Sequence, residues 1–218
     1  MDQKWAKVPC QRRSAATLER LLDAAERLLL EKSFGDLPIT DIAAQAGYSV
    51  GAVYARFRDK ESLLRCLEER LVADICAISD SALAPAEWQG ATLVEVASEV
   101  ATLMVRIHRE RMGILREMLS RAHLDPITGD CIERAVRHVC DRLVALVGAF
   151  PDDLDHPDPD RGVPFAFRLL MGVLKEAILF RGPGGHGIPQ SDDQLAAELT
   201  RAFLGYLSPR ALEARARS

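Results

Sequence analysis

The sequence predicts an all-α protein, and three observations carry that expectation. Apolar residues recur at i, i+3, i+4 and i+7 along most of the chain, the period of an amphipathic helix. The alternating β-branched runs and hairpin turns that mark strands are missing from the sequence. Proline and glycine stand where the helical period stops, at Pro85, in 150–162 and in 182–189.

The first helix is expected over 14–32, with Leu18, Leu21, Leu22, Ala25, Leu28 and Leu29 on one stripe. The segment 39–64, ITDIAAQAGYSVGAVYARFRDKESLL, then predicts a short helix, a glycine turn, a second short helix and the start of a long third one. Ile39, Ile42, Ala43 and Ala46 repeat at helical spacing. Gly47 stands where a helix end needs a left-handed residue. Ser49 is placed to cap the next helix by accepting the N–H of Gly51 or Ala52. Val53 and Phe57, four apart, pack that helix inward, which leaves Tyr54 and Arg56 nearer its open side. Asp59 caps a long helix carrying Leu63, Leu64, Leu67, Leu71, Ile75 and Ile78, which Pro85 ends. Five more helices are expected over 91–111, 112–122, 127–149, 163–181 and 192–207, with an Asp- and Pro-rich break at 150–162 and a glycine loop, GPGGHGIP, at 182–189. No internal repeat is visible.

The layout of 39–64 is that of a helix-turn-helix, whose second helix enters the DNA major groove. Residues 17–64 resemble the N-terminal domain of the TetR family of bacterial transcriptional regulators. The matching features are the helix through Thr17 and Lys32, Phe34-Gly35, Asp41-Ile42-Ala43, Ala46-Gly47, Ser49-x-Gly51, Tyr54-x-x-Phe57 and Lys60-Glu61-x-Leu63. Each is weak alone; their order and spacing together are specific, although they cover about a fifth of the chain. The resemblance implies a three-helix DNA-binding domain over 1–58 and a helical ligand-binding and dimerisation domain over 59–218. One departure stands out. The family has a Thr-Thr pair ahead of the first motif helix, one of whose hydroxyls caps that helix and touches phosphate. Here the pair is Leu37 and Pro38, so Thr40 is the candidate substitute.

For DNA, the expected contacts are Thr40, Tyr48, Ser49, Val50, Gly51, Ala52, Tyr54, Arg56 and Lys60. Ser49, Tyr54 and Lys60 suit phosphate, which sets register, and Lys60 stands at a helix start whose N–H groups attract phosphate. Tyr48, Val50 and Ala52 suit thymine methyl groups, and Arg56 suits guanine or phosphate. Gly51 allows close approach. Net charge is −4, but residues 1–60 hold 10 Lys/Arg against 8 Asp/Glu while 61–218 hold 18 against 24, so the N-terminal part is +2 and the remainder −6. Lys4, Lys7, Arg12 and Arg13 form a basic start that is either a phosphate-neutralising arm or a solvated tail.

In the C-terminal part, Trp88, Met104, His108, Met112, Met118, Phe167 and Met171 are candidates to line a small-molecule effector site, since Met adapts to irregular cavities; plain core is the competing reading. The last two helices are apolar on more than one side and so need more than one partner. The resemblance implies that they pair with their copies in a four-helix bundle, with Phe167, Leu170, Met171, Leu174, Ile178, Leu195, Leu199 and Phe203 at the homodimer interface. A two-fold dimer would read a palindromic site on double-stranded DNA.

Other chemistries find little support. Cys10, Cys66, Cys76, Cys131 and Cys140 form no CxxC pair, so neither a zinc site nor a disulfide framework is expected. His108, His123 and His138 are too widely spaced to suggest a metal site, and no metal or cofactor is expected. The aspartates of 152–160 miss the EF-hand spacing, and Pro157 and Pro159 interrupt it. Gly47-Tyr48-Ser49-Val50-Gly51 spells the G-x-S-x-G of a hydrolase elbow, but a helix, not a strand, is expected before the serine. The chain is therefore read as a non-enzymatic regulator, a dimeric repressor released by a small ligand. An activator, a ligand-free DNA binder and a helical enzyme are the alternatives. No apolar run of about 18 residues and no secretion signal appear, so no membrane association and a cytoplasmic location are expected.

Overall fold

The computed structural model describes residues 12–179 and 191–210, with side chains from 15 to 177 and from 191 to 210. The loop 182–189, Cys10 and the basic start through Lys7 lie outside the described residues, as do the side chains of Arg12, Arg13 and Ile178. Among the described residues the only regular elements are helices, in the order α1 (Arg12–Leu29), α2 (Ile39–Ala46), α3 (Val50–Arg56), α4 (Lys60–Ala82), α5 (Leu93–Glu110), α6 (Met112–Arg121), α7 (Pro126–Val147), α8 (Pro159–Leu179) and α9 (Asp192–Leu207). Short 3-10 turns at Pro85–Trp88 and Pro151–Asp153 precede α5 and α8.

Contacts divide the chain into two compact units, and the division is not a single cut. The first comprises residues 1–74 with 111–133; the second comprises 75–110 with 134–218. A cut at residue 58 follows the motif; the packing instead gathers the start of α4, all of α6 and the start of α7 with the helix-turn-helix.

In the first unit, Leu18, Leu21, Leu22, Ala25 and Leu29 of α1 are buried as their spacing predicts, and Leu28 is half-buried. Helix α1 packs on α2, and Ile42, Ala43, Val53, Phe57, Leu63, Leu64 and Leu67 of the same unit are buried too. What brings α6 here is close backbone approach. A Cβ on Gly113 would lie 2.5 Å from the carbonyl carbon of Leu29, so only glycine fits. Three polar contacts surround that point. Arg116 donates to the Leu29 carbonyl at 3.0 Å, the Phe34 N–H donates to Glu117 at 3.2 Å, and Arg121 pairs with Glu61.

A buried polar hub adds to this. Arg65 Nη1 donates to Glu68 at 2.8 Å and to the Thr128 hydroxyl at 2.7 Å, and Thr128 donates onward to the other oxygen of Glu68 at 2.7 Å. Arg65 also pairs with Asp125 and, at 3.1 Å, with Glu61. Glu68 and Thr128 are fully buried. Burial pushes the Glu68 carboxyl above its ordinary pKa, against the pull of Thr128 and Arg65.

The second unit is built on α5 packed against α9, with α8 against α9. Its core includes Leu93, Val96, Met104, Leu143, Leu146, Phe167, Leu170, Leu174, Leu195, Leu199, Phe203 and Leu207. Ser191 caps α9, accepting the Gln194 N–H at 3.2 Å. Helix α8 begins four residues earlier than the sequence predicts. Asp158 accepts the Arg161 N–H at 3.3 Å and Pro159 takes the first helical position, where a missing N–H costs nothing. The acidic segment ahead of it is tied down rather than loose. The Asp155 and His156 N–H groups donate to the Leu207 carbonyl at 3.0 and 3.2 Å, and Arg210 pairs with Asp155 at 2.8 Å.

Gly113→Ala is expected to lower stability by about 3 kcal/mol through overpacking against the Leu29 backbone, read as a fall in urea midpoint at fixed protein concentration. An unchanged midpoint would mean that α6 does not sit against α1.

Candidate nucleic-acid interface

The turn into the recognition helix rests on Gly47, whose φ of 74° lies in the left-handed region that glycine enters without a Cβ penalty. The Gly47 and Tyr48 N–H groups donate to the Ala44 and Ala43 carbonyls at 3.1 and 2.9 Å, closing α2. Ser49, in extended conformation, caps α3 by accepting the Ala52 N–H at 3.2 Å. Val53 and Phe57 are fully buried. With those two anchored, Ser49, Gly51, Tyr54 and Ala55 face outward, while Val50, Ala52 and Arg56 are half-buried. Tyr54 keeps 51% of its surface exposed. Tyr48 is half-buried, and its hydroxyl accepts from Thr17 at 3.4 Å.

At the start of α2, Pro38 is the extended cap residue and supplies no side-chain bond, while Leu37 is fully buried. The hydroxyl pair of the family is thus replaced by one core residue and one conformational lock. Thr40 is exposed in the first turn of α2, its hydroxyl 3.5 Å from Asp41 Oδ1.

Lys60 departs from its expected role. Its Nζ donates to the Phe34 carbonyl and, at 3.2 Å, to that of Gly35, and it sits 4.6 Å from the centroid of the Phe34 ring. Desolvation lowers its pKa. The lysine holds the α1–α2 loop instead of offering its charge outward. Nor is the start of α4 open to phosphate, because Asp59 already caps it. Asp59 accepts the Ser62 N–H at 2.7 Å and the Ser62 hydroxyl at 2.6 Å, and with Arg58 nearby its pKa falls from 3.8 to about 2. The cation the sequence reading passed over is Arg58, 87% exposed and 2.9 Å from Asp59. Its signal was positional: it follows directly on the buried Phe57.

The seven effector candidates are divided between the two units. Met112 and Met118 belong to the first unit, where Met118 is fully buried. Met104 and Phe167 are core residues of the second unit, and Met171 packs half-buried against that core. His108 is half-buried, its Nδ1–H donating to the Met104 carbonyl at 2.7 Å, and burial lowers its pKa. Of the seven, Trp88 lines an open cavity of the second unit. Met and aromatic residues at helical spacing are thus mostly core here.

Of the expected dimer residues, Phe167, Leu170, Leu174, Leu195, Leu199 and Phe203 are each at most 5% exposed and belong to the core of their own unit. The apolar residues that do face out are Phe165, Leu169 and Val173 of α8, a stripe at i, i+4, i+8, together with Tyr206 of α9. Among the described residues Cys131 and Cys140 are buried, and burial pushes the Cys66 thiol up to about 12 and raises that of Cys76 as well.

These features define a helix-turn-helix protein, with a short, capped and doubly anchored recognition helix whose polar face is open. Comparisons with known proteins agree with this. Residues 21–67 match the family model described as bacterial regulatory proteins, tetR family. A segment of 55 residues is 38% identical to the uncharacterized HTH-type transcriptional regulator YwcC of Bacillus subtilis (strain 168), spanning a quarter of each chain. The fold extends further. SmeT, the repressor of the Stenotrophomonas maltophilia multidrug efflux pump SmeDEF, aligns over 88% of this chain and 90% of its own with a TM-score of 0.63 and 20% identity. A TetR transcription regulator of Haloarcula marismortui ATCC 43049 aligns over 89% and 100% with a TM-score of 0.69 and 17% identity. Over residues 21–67 the chain therefore carries a TetR-type helix-turn-helix domain, and the chain as a whole shares the fold of these structures.

Two outcomes are expected. In DNA-binding titrations Arg58→Ala should make the salt dependence shallower by about one unit of slope. Lys60→Met should leave that slope unchanged and lower the unfolding midpoint instead; the reverse pattern would reassign the phosphate contact to Lys60. For Asp59, the folded pKa is depressed, so its charge stabilises the fold above the unfolded value and that contribution is lost as pH falls toward 2. Asp59→Asn should therefore be less stable than the parent at pH 7, with the gap closing between about pH 4 and pH 2.

Proposed function

We propose that the chain is a sequence-specific transcriptional regulator, acting as a homodimeric repressor in the cytoplasm and released from a palindromic operator by a small molecule. The observation that supports this most is the recognition helix, whose outward residues Ser49, Gly51 and Tyr54, with Arg56 and Arg58 beside them, have the size and polarity to meet phosphate and base edges. Thr40 supplies a hydroxyl at the start of α2. A non-enzymatic role agrees with Ser49, which follows a helix and uses its oxygen as a cap. Among the described residues no helix is long and apolar enough to cross a membrane.

The proposed dimer face is the stripe of Phe165, Leu169 and Val173 with Tyr206, where the Phe165 and Tyr206 rings stand 5.3 Å apart. Aromatic and aliphatic side chains grouped in this way lose free energy in water and are suited to a second copy. One seven-residue helix reads few base pairs, and pairing two of them supplies the missing specificity.

The testing experiment selects fragments from sheared genomic DNA of the source organism and sequences them. A shared palindrome is expected; recovered fragments with no common sequence would sink specific regulation. Leu169→Glu should sediment as a monomer and bind the recovered operator at least about 100-fold more weakly, because the second half-site no longer acts at high effective concentration. A dimeric Leu169→Glu variant would move the interface elsewhere.

A further inference from the structure

The second unit carries a cavity of about 620 Å³ lined by Ala77, Ile78, Ser81 and Ala82 at the end of α4, by Glu87 and Trp88 of the turn that follows, and by Glu99, Val100, Leu103 and Arg106 of α5. Its size falls within the range of about 300–1,000 Å³ usual for small-molecule sites. The walls are apolar: Ala77, Ile78, Ala82, Val100 and Leu103. Small residues on α4 (Ala77, Ser81 and Ala82) leave the space, and Ile78, 36% exposed, remains uncovered. Trp88 is fixed in this wall by its indole N–H, which donates to the Ala82 carbonyl at 2.8 Å.

Charge completes the description. Glu87 and Glu99 have no hydrogen-bond or ion-pair partner among the described residues, although the protein pairs carboxylates freely elsewhere. Arg106 is likewise unpaired. It lies seven residues beyond Glu99, hence on the same face of α5 and roughly 10 Å further along it. Two carboxylates, one guanidinium and an indole leave the cavity net negative. The acidic groups include the neighbour of Trp88, and the basic group stands well away from Glu99.

We propose that this cavity binds a hydrophobic organic monocation, an ammonium group on an apolar body. The cation would sit against Trp88 with Glu87 and Glu99 as counter-charges, and the body would cover Ile78, Val100 and Leu103. Arg106 sets a second rule. A ligand with another positive charge about 10 Å from the first meets the guanidinium and is rejected. Binding itself stands independently of the regulatory reading; its role as the release signal rests on that reading.

The test is calorimetric titration of the full chain with benzyltrimethylammonium, with its neutral isostere carrying carbon in place of nitrogen, and with a bis-quaternary ammonium whose charges lie about 10 Å apart. Saturable binding of the monocation is expected, with the neutral and doubly charged compounds at least about tenfold weaker. Glu87→Gln with Glu99→Gln should weaken the monocation by about tenfold; both side chains are exposed, so an unchanged unfolding midpoint is expected to certify the fold. Arg106→Gln should improve the bis-cation selectively. Equal affinity for the neutral isostere, or no loss in the double glutamine variant, would overturn the proposal. Saturable, charge-dependent binding that leaves operator affinity untouched would support the site and remove it as the release signal.

Discussion

Everything this protein does with DNA depends on holding seven residues in a helix that could not persist alone. A helix of two turns has too few internal hydrogen bonds to offset nucleation in water. Three constraints replace the missing cooperativity. Gly47 fixes the entry angle, Ser49 satisfies the Ala52 N–H, and the burial of Val53 and Phe57 clamps one face of the helix into the core of its unit, beside α2. The open face is then a consequence. Once Val53 and Phe57 point inward, the helical period leaves Gly51, Tyr54 and Ala55 outward. Binding residues on a clamped helix need little ordering on contact, so less of their interaction free energy is lost to entropy.

The clamp continues through α6, and its chemistry is unusual in relying on buried charge. Placing Glu68 in a dry environment costs several kcal/mol, which only the paired geometry of Arg65, Thr128 and Asp125 offsets. An apolar replacement of similar volume would pack with less penalty. What the hub provides instead is register: its donors and acceptors match in one arrangement of α4 against 125–128. Gly113 acts in the same direction by steric means, since its neighbour Leu29 tolerates no side chain. Between them, a polar and a steric lock define where the segment 111–133 sits within the first unit.

The helix-turn-helix was legible in the sequence because its signals are local. Gly47, Ser49 and Asp59 act on neighbours within three or four residues, and each behaves as read. The apolar periods placed helices within a few residues of their observed ends. What periodicity does not contain is the identity of the partner. On α8 two adjacent stripes are apolar, and sequence offers no means of saying that Phe167, Leu170 and Leu174 turn inward while Phe165, Leu169 and Val173 turn out. Lys60 failed for a related reason: its partners are backbone carbonyls 25 and 26 residues away, and carbonyls leave no trace in side-chain spelling. The placement of α6 with the first unit depends on Gly113 meeting Leu29, another contact distant in sequence.

The charge distribution explains why pairing of two copies matters so much to the proposed activity. Most strongly attractive DNA binders present many cations, and their affinity falls steeply with salt. Several cations among the described residues of the first unit are already engaged within the fold. Lys32 is held by Asp41 at 2.8 Å, Lys60 by carbonyls, Arg65 by the buried hub and Arg70 by Glu19, Asp23 and Glu26. Arg58, 87% exposed, lies near the reading face beside the acidic cap at Asp59. Each cation engaged within the fold is withdrawn from non-specific attraction to phosphate, which suits a regulator that must ignore most of the genome. In the proposed dimer two linked half-sites would add affinity without adding charge, which would join the exposed stripe of α8 and the open face of α3 in one design.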